Sequence, residues 1–346
     1  MKFSVIIPFY NAQNTLERCL RALDRQIFKE FEVCLVDNNS DDHSAVIARD
    51  FAGRTHPFEV RVLHEPRRGA PAARNTGAAA ARGEWLAFTD ADCVPAPHWL
   101  HELDRITASL DGGTGAVAGT IVSAVPENPV QLCSALFTLP PVMKDETFRE
   151  LTLHSGGFPT ANLAVRRAVF EEVGGFDYDH PVRVGEDTLL CARLYRAGYA
   201  IRAHAGAAVE HVHREDLRSF VKQAEAYGES HPYIVRNLLP PGVLVEPPVG
   251  RTLHLRVPLH VWIDLRQADK KMLGAVLAAV LLPPLWFLPF VYFMWLCRFV
   301  LRKMEVRDIL VAPRTIPVIA GLLLLKSGAV TAARIKTSIR YRCLVI

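Results

Sequence analysis

Four short apolar runs, rich in β-branched and aromatic residues, mark the start of the chain: Phe3–Phe9 (FSVIIPF), Phe31–Asp37 (FEVCLVD), Val60–Glu65 (VRVLHE) and Glu84–Asp90 (EWLAFTD). Between them lie the helical stretches NTLERCLRALDRQ, DDHSAVIARDFA and APAARNTGAAAAR. Strands alternating with helices of this length predict parallel β-α-β units with right-handed crossovers. In such sheets ligands bind beyond the carboxyl ends of the strands. The first strand ends at Pro8-Phe9-Tyr10, the second at Asp37-Asn38-Asn39 and the fourth at Asp90-Ala91-Asp92. An aromatic ring, a polar cluster and a carboxylate pair are thus expected along one edge.

The pattern changes towards the C-terminus. Met272–Cys297 is uncharged for 26 residues, a length that points to lipid rather than to a soluble core. As one straight helix it would reach about 39 Å, more than the roughly 30 Å hydrocarbon core. Pro283-Pro284 divides it into arms of about 16–20 Å, each too short to cross. The expectation is therefore a re-entrant hairpin with both ends cytosolic, favoured over a single span. Ile316–Leu325 is too short to span and reads as an interfacial helix. Arg251–Arg266 offers another, against which Pro258 counts.

Charge sharpens this division. The 346 residues suffice for one large domain or two small ones, half of them are hydrophobic, and the net charge is +4. Ten Lys/Arg against two acids between Arg298 and Ile346 give that tail +8, so the first 297 residues net −4. The acidic body argues against a nucleic-acid partner, and the basic tail favours anionic lipid. A single crossing would carry those ten cations to the far side, against the positive-inside bias. Seven cysteines form no C-x-x-C pair and read as reduced cytosolic thiols. The N-terminal apolar run is too short for a signal peptide and reads as the first strand.

Three constellations carry candidate chemistry. On a strand, Asp90 and Asp92 would point the same way and suit a hard cation, whereas turn chemistry alone also accounts for aspartates after a strand. Asp187 in GEDTLL, taken by itself, reads as an acid favouring a helix N-terminus. His211 and His213, two apart in EHVHRE, would be strand neighbours on one face; each is either a packed or surface residue or a transition-metal ligand. No G-x-G-x-x-G or G-x-x-x-x-G-K follows the first strand. A bound nucleotide would thus have its diphosphate neutralised by a cation on the aspartates rather than by a glycine-rich turn. Ser155–Arg167 reads equally as an acceptor-side lining and as a loop entering a core strand, and carries no catalytic assignment.

Six blocks then occur in a familiar order: SVIIPFYNA, VCLVDNNSDD, RRGAPAARNTGAAAARGEWLAFTDAD, TANLAVRRAVFEEVGGFD, GEDTLLCARLYRAGY and VEHVHRE. Together they resemble the family 2 glycosyltransferases, inverting enzymes of the GT-A fold, over about Phe3–Gly228, roughly two-thirds of the chain. The resemblance implies a nucleotide-sugar-binding α/β domain with a mostly parallel central sheet. Pro8, Tyr10 and Asp37 would hold the base, with Asn38 standing where many members carry a second Asp. Arg74 would lie near the ribose or phosphates, Asp90 on the ribose or metal side, and Asp92 on a Mn²⁺ or Mg²⁺ ion. Asp187 would be the catalytic base, with Glu186 beside it, and His211 would complete the metal site.

The expected layout is a catalytic domain over 1–230, a linker over 231–271, the hydrophobic membrane segment over 272–300 and a basic, partly amphipathic tail over 301–346. The expected activity is metal-dependent, inverting transfer from a nucleotide-diphospho-sugar, UDP-linked by preference, to a lipid-linked or membrane-proximal acceptor. This would serve cell-envelope glycan or glycolipid synthesis at the cytoplasmic face of the membrane. Two other classes fit the sequence less well. A nucleotidyltransferase would need a basic, glycine-rich loop where FYNAQNT stands, and a non-catalytic binding protein would not need both Asp92 and Asp187.

Overall fold

The computed structural model describes every residue except 140, 153, 179–183, 307, 308, 310 and 311. Two compact units result. The first holds most of the chain up to Val212; the second holds His213–Ile346 together with Val125–Leu139. The boundary thus falls earlier than residue 230, and a short internal segment belongs with the C-terminal part.

In chain order the first unit contains β1 (Phe3–Phe9), α1 (Leu16–Asp24), β2 (Phe31–Asp37), α2 (Ser44–Ala52), β3 (Glu59–His64), α3 (Ala70–Ala80), β4 (Trp85–Phe88), β5 (Cys93–Pro95), α4 (Trp99–Thr107) and β6 (Thr114–Ser123). The helix α5 (Pro129–Phe137) belongs to the second unit. The first resumes with β7 (Glu146–Phe148), β8 (Leu163–Arg166), α6 (Arg167–Glu172), α7 (Glu186–Arg196) and β9 (Ala200–His211). The sheet order is β3-β2-β1-β4-β8-β6-β9-β5, with β7 added on β9. Pairing is parallel across β3-β2-β1-β4 and between β6 and β9, and antiparallel at β8, β5 and β7. This is the GT-A-type α/β arrangement, with its longest ladders parallel.

The pattern of the first ninety residues forms strands because both faces of this sheet are covered, so a continuous apolar run is what it requires. Ile6, Leu86, Phe88, Leu163, Val165 and Ile201 pack with Leu190 and Leu194 of α7 in one core. The register pairs Phe9 with Asp37 and Asp37 with His64, which brings the ends of β1, β2 and β3 level. One expectation is corrected here. β4 stops at Phe88, so Asp90 and Asp92 sit in the turn before β5 rather than on a strand. The turn is closed by the Cys93 N–H donating to the Asp90 carbonyl at 3.0 Å.

The second unit contains α5, α8 (Leu217–Leu238), β10 (Gly242–Glu246), β11 (Leu253–Leu255), β12 (His260–Asp264), α9 (Ala268–Leu281), α10 (Leu288–Glu305), α11 (Thr315–Tyr341) and β13 (Leu344–Val345). Leu132, Leu136, Phe220, Leu296, Val300 and Ile319 form its core. Two expectations change. Arg251–Arg266 gives β11 and β12 instead of a helix, because Pro258 falls between two extended runs that pair with β10. Ile316–Leu325 is only the start of the 27-residue α11. That helix continues because Val330 and Ala333 pack on α8, where a Cβ at Gly228 would meet the Val330 carbonyl at 2.4 Å. The predicted break is present: α9 ends at Leu281, and Pro283–Leu285 makes one 3₁₀ turn before α10. Pro283–Glu305 and Thr315–Tyr341 are each long and apolar enough to cross a membrane.

Candidate active site

The sheet edge formed by β1 to β4 brings together residues widely spaced in sequence. Tyr10, just past β1, is half exposed. Pro8 lies within β1 opposite Val36. Asp37 closes β2, accepts a hydrogen bond from the Ser40 N–H at 3.0 Å and lies 3.7 Å from the His64 ring. Asn38 follows, almost fully buried, and its side chain fastens the next loop. Its amide donates to the carbonyls of Glu65 (2.9 Å) and Arg67 (2.7 Å), and its oxygen accepts from the Gly69 N–H (2.7 Å). Glu65, one residue past β3, is a site-edge acid that the sequence reading passed over. Hydrogen bonds from Arg67 and Thr76 hold its carboxyl down at about 2. Its place after VRVLH, level with the end of β2, was the available signal.

Arg74 is the hub. It projects from α3, is buried, and donates through one terminal nitrogen to Asp90 and through the other to Glu186, both at 2.8 Å. Burial opposes its charge, but Asp90 and Glu186 outweigh that effect and keep the guanidinium protonated. Its Nε is buried with no hydrogen-bond partner among the described residues, a spare donor beside the carboxylates. A second pair of contacts holds the opposite side. Asn75, next on α3, donates to the Phe176 carbonyl and accepts from the Phe176 N–H, at 2.8 and 2.9 Å.

Glu186 and Asp187 open α7, after Gly185 turns the chain at a φ of +106° that a side chain would strain. The Thr188 N–H donates to Asp187 at 2.7 Å. Burial, followed by the charge on Glu186, pushes the Asp187 carboxyl up to about 7. A carboxyl that titrates near neutrality can take a proton and release it again. Helix-start acid and perturbed acid are thus both true of Asp187.

Asp92 turns the other way from Asp90. Its carboxylate lies 3.6 Å from His211 Nε2 at the end of β9, whose register sets His211 opposite Cys93. Asp92, Cys93 and His211 have ligand-type atoms within 4.8 Å of one another. Burial, then Asp92, pushes the Cys93 thiol well up, which leaves a carboxylate oxygen and an imidazole nitrogen as the ready donors. That oxygen–nitrogen pair is a donor set for a divalent ion that accepts imidazole as well as carboxylate, as Mn²⁺ does. The expected strand pairing of His211 with His213 is corrected: β9 ends at His211, and His213 lies in the second unit, its carbonyl accepting from Gln131.

The edge of this α/β sheet thus carries the Asp90-Ala91-Asp92 turn, the Arg74 bridge and a near-neutral carboxyl on one domain. Residues 4–174 match glycosyl transferase family 2, and the chain belongs to that family through this domain. It is 34% identical over 236 residues to the pre-mycofactocin glycosyltransferase of Mycobacterium tuberculosis, covering 66% of this chain but 46% of that one. The chain thus aligns with about half the length of that relative. Among solved structures, the mannosyltransferase PcManGT of Pyrobaculum calidifontis, in complex with GDP-Man and Mn²⁺, superposes with a TM-score of 0.52 at 19% identity, over 94% of this chain and 86% of that one. TarS 1–349 of S. aureus with UDP-GlcNAc gives 0.51 at 19%, over 99% and 93%. These likenesses establish the fold.

Proposed function

We propose that the chain is a metal-dependent, inverting glycosyltransferase that moves a sugar from a nucleotide-diphospho-sugar to a hydroxyl of a lipid-linked or membrane-proximal acceptor. The observation that carries this is the convergence of Asp90, Arg74, Glu186 and Asp187 with the Asp92–His211 pair on one domain. Tyr10, Pro8 and Asp37 form the base side, backed by the loop that Asn38 holds, and Arg74, Asp90 and Glu186 the ribose and phosphate side. UDP and GDP sugars in the two superposed structures support a nucleotide-sugar donor, UDP being our first choice.

In this reading the acceptor oxygen attacks the anomeric carbon, its proton passes to Asp187, and the bond to the diphosphate breaks with its electron pair on the departing oxygen. Asp92 and His211 would hold the divalent ion, which when bound neutralises charge on the departing diphosphate. The Arg74 Nε is the free donor for a donor-phosphate or ribose oxygen. Calorimetry with UDP checks the metal requirement: affinity should fall at least about tenfold in EDTA or in Asp92→Ala. Equal affinity in both would remove the ion from the reading.

The C-terminal helices support a place at the cytoplasmic membrane face, as in envelope glycan or glycolipid synthesis. The first unit then holds the chemistry and the hydrophobic helices attach it, with α9 and α10 as the arms of a hairpin folded at Pro283-Pro284. Ile339, at the exposed end of α11, is a labelling site for sidedness. Ile339→Cys and an N-terminal cysteine should both be protected from an impermeant thiol reagent in intact cells. Labelling of Ile339→Cys alone would place the tail outside and reject the hairpin.

A further inference from the structure

The donor reading uses two of the three ligand-type side chains that the fold gathers where β5 meets the end of β9. Asp92, Cys93 and His211 have ligand-type atoms within 4.8 Å of one another, and the third of these groups is a thiol. Asp92 lies between the other two: the Cys93 Sγ is 3.8 Å from one of its oxygens and the His211 Nε2 is 3.6 Å from the other. Metal–ligand lengths of about 2.0–2.3 Å at tetrahedral angles set donors about 3.3–3.6 Å apart, so both contacts are near that spacing before any ion enters.

The backbone holds the group together independently of these contacts. Cys93 stands directly opposite His211 in the antiparallel pairing of β5 with β9, which puts both side chains on one face of the sheet. The Val212 N–H donates to the Asp92 carbonyl at 3.0 Å, and the Cys93 N–H to the Asp90 carbonyl at 3.0 Å. All three ligand positions are tied into one ladder and one turn.

A set of carboxylate, imidazole and thiol has a preference that carboxylate and imidazole alone lack. Mn²⁺ and Mg²⁺ have little use for sulfur, so Cys93 is a bystander to them, whereas Zn²⁺ takes all three kinds of ligand together. Burial, then the charges of Asp92 and Asp90, keep the thiol protonated. A divalent cation offsets that carboxylate field, and a coordinating thiol gives its proton to solvent as the metal–sulfur bond forms. Coordination number decides the consequence. An octahedral ion held by Asp92 and His211 keeps four positions for a diphosphate and water, whereas a tetrahedral ion held by all three side chains keeps one. One position cannot take a diphosphate through two oxygens.

We infer that Asp92, Cys93 and His211 form a three-ligand site for a thiophilic divalent ion, Zn²⁺, which competes with the ion that serves donor binding. The inference rests on the reading of Asp92 and His211 as the metal side of the donor site and adds Cys93 as the residue that selects the ion.

The first test uses metal alone on the full-length protein in mild detergent, freed of ions and without nucleotide. Co²⁺ occupies Zn²⁺ sites and reports sulfur ligation by colour. It should give an intense near-ultraviolet thiolate-to-metal absorption that Zn²⁺ then bleaches. Zn²⁺ exceeds Mn²⁺ in affinity at most nitrogen–oxygen sites, so preference alone decides nothing. The deciding comparison is Cys93→Ser, which should lose the band and bind Zn²⁺ at least about tenfold more weakly, while its Mn²⁺ affinity stays within about threefold. Should Cys93→Ser melt well below the parent, His211→Ala, which keeps the thiol, supplies the comparison and should weaken Co²⁺ binding at least about tenfold. Competition is read by calorimetry with UDP and Mn²⁺: added Zn²⁺ should lower UDP affinity at least about tenfold in the parent and less than about threefold in Cys93→Ser. No band in the parent, a band that survives Cys93→Ser or is unmoved by His211→Ala, equal Zn²⁺ affinity in folded Cys93→Ser, or parental UDP affinity indifferent to Zn²⁺ overturns the inference. Where UDP affinity still depends on Asp92 and the band is missing, this inference fails alone; where UDP affinity ignores both EDTA and Asp92→Ala, the donor reading fails.

Discussion

Asp187→Asn should lower turnover by about 10²- to 10⁴-fold while leaving donor affinity within about twofold of the parent. The substitution keeps the shape and the contact to the Thr188 N–H but removes the proton acceptor. The pH profile gives the prediction its edge. A base with its carboxyl pushed up to about 7 is mostly protonated, and so idle, below neutrality. Turnover of the parent should therefore rise about tenfold per unit up to roughly pH 7 and then level off, whereas residual turnover of Asp187→Asn should be flat. Release of nucleoside diphosphate from the best donor in a panel of nucleotide-sugars measures both. Near-parental turnover in the variant would reject the assignment.

The same group should leave a mark on stability, with a definite sign. Its native carboxyl titrates above the ordinary value of 3.8, so between about pH 4 and 7 the native state holds more proton than the unfolded chain does. Stability contributed by this residue is then highest at the acid end and is lost as pH rises through 7. Asp187→Asn should accordingly gain melting temperature relative to the parent at pH 8 and gain little at pH 4. An active-site carboxylate held at a cost to the fold is the usual trade between activity and stability.

The second large effect is expected at Arg74. Arg74→Met should destabilise the first unit by about 3–5 kcal/mol, because removing one partner of a buried ionic group strands the others. Here two carboxylates are stranded, Asp90 and Glu186, beside Asp187. The melting temperature should drop by roughly 10 °C. Arg74→Lys should recover only part of it, since a single ammonium cannot copy two hydrogen bonds from separate terminal nitrogens. Arg74→Met/Asp90→Asn/Glu186→Gln, which also removes the stranded charge, should melt above Arg74→Met alone. A drop of under about 2 °C in Arg74→Met would show that the bridge is dispensable.

The strands were the most legible part of the fold, for a local reason. β1 and β2 begin and end where the apolar runs do, since a strand buried on both faces needs nothing but a short apolar run. The D-x-D turn was half legible: spacing within a strand and turn chemistry predict the same two residues but different directions. Only the fold shows Asp90 turning to Arg74 and Asp92 to His211. The Arg74–Glu186 contact was out of reach, because it joins residues 112 apart through side chains alone. Local pattern also failed in the C-terminal part. The length of α11 is set by what Val330 and Ala333 pack against, and β11 and β12 by the partner strand that pairs with them.

The position of Asn38 has a consequence for how motifs are inherited. An aspartate there would turn the side chain that now donates to two carbonyls into one that repels them, and the loop from Glu65 to Gly69 would lose its clasp. In this chain that slot serves the architecture of the loop. Two sequences can share the letters around such a slot and differ in its employment, so reassigning it by alignment would credit a carpenter with the work of a chemist. Loop rigidity, in this protein, is encoded where recognition is customarily sought.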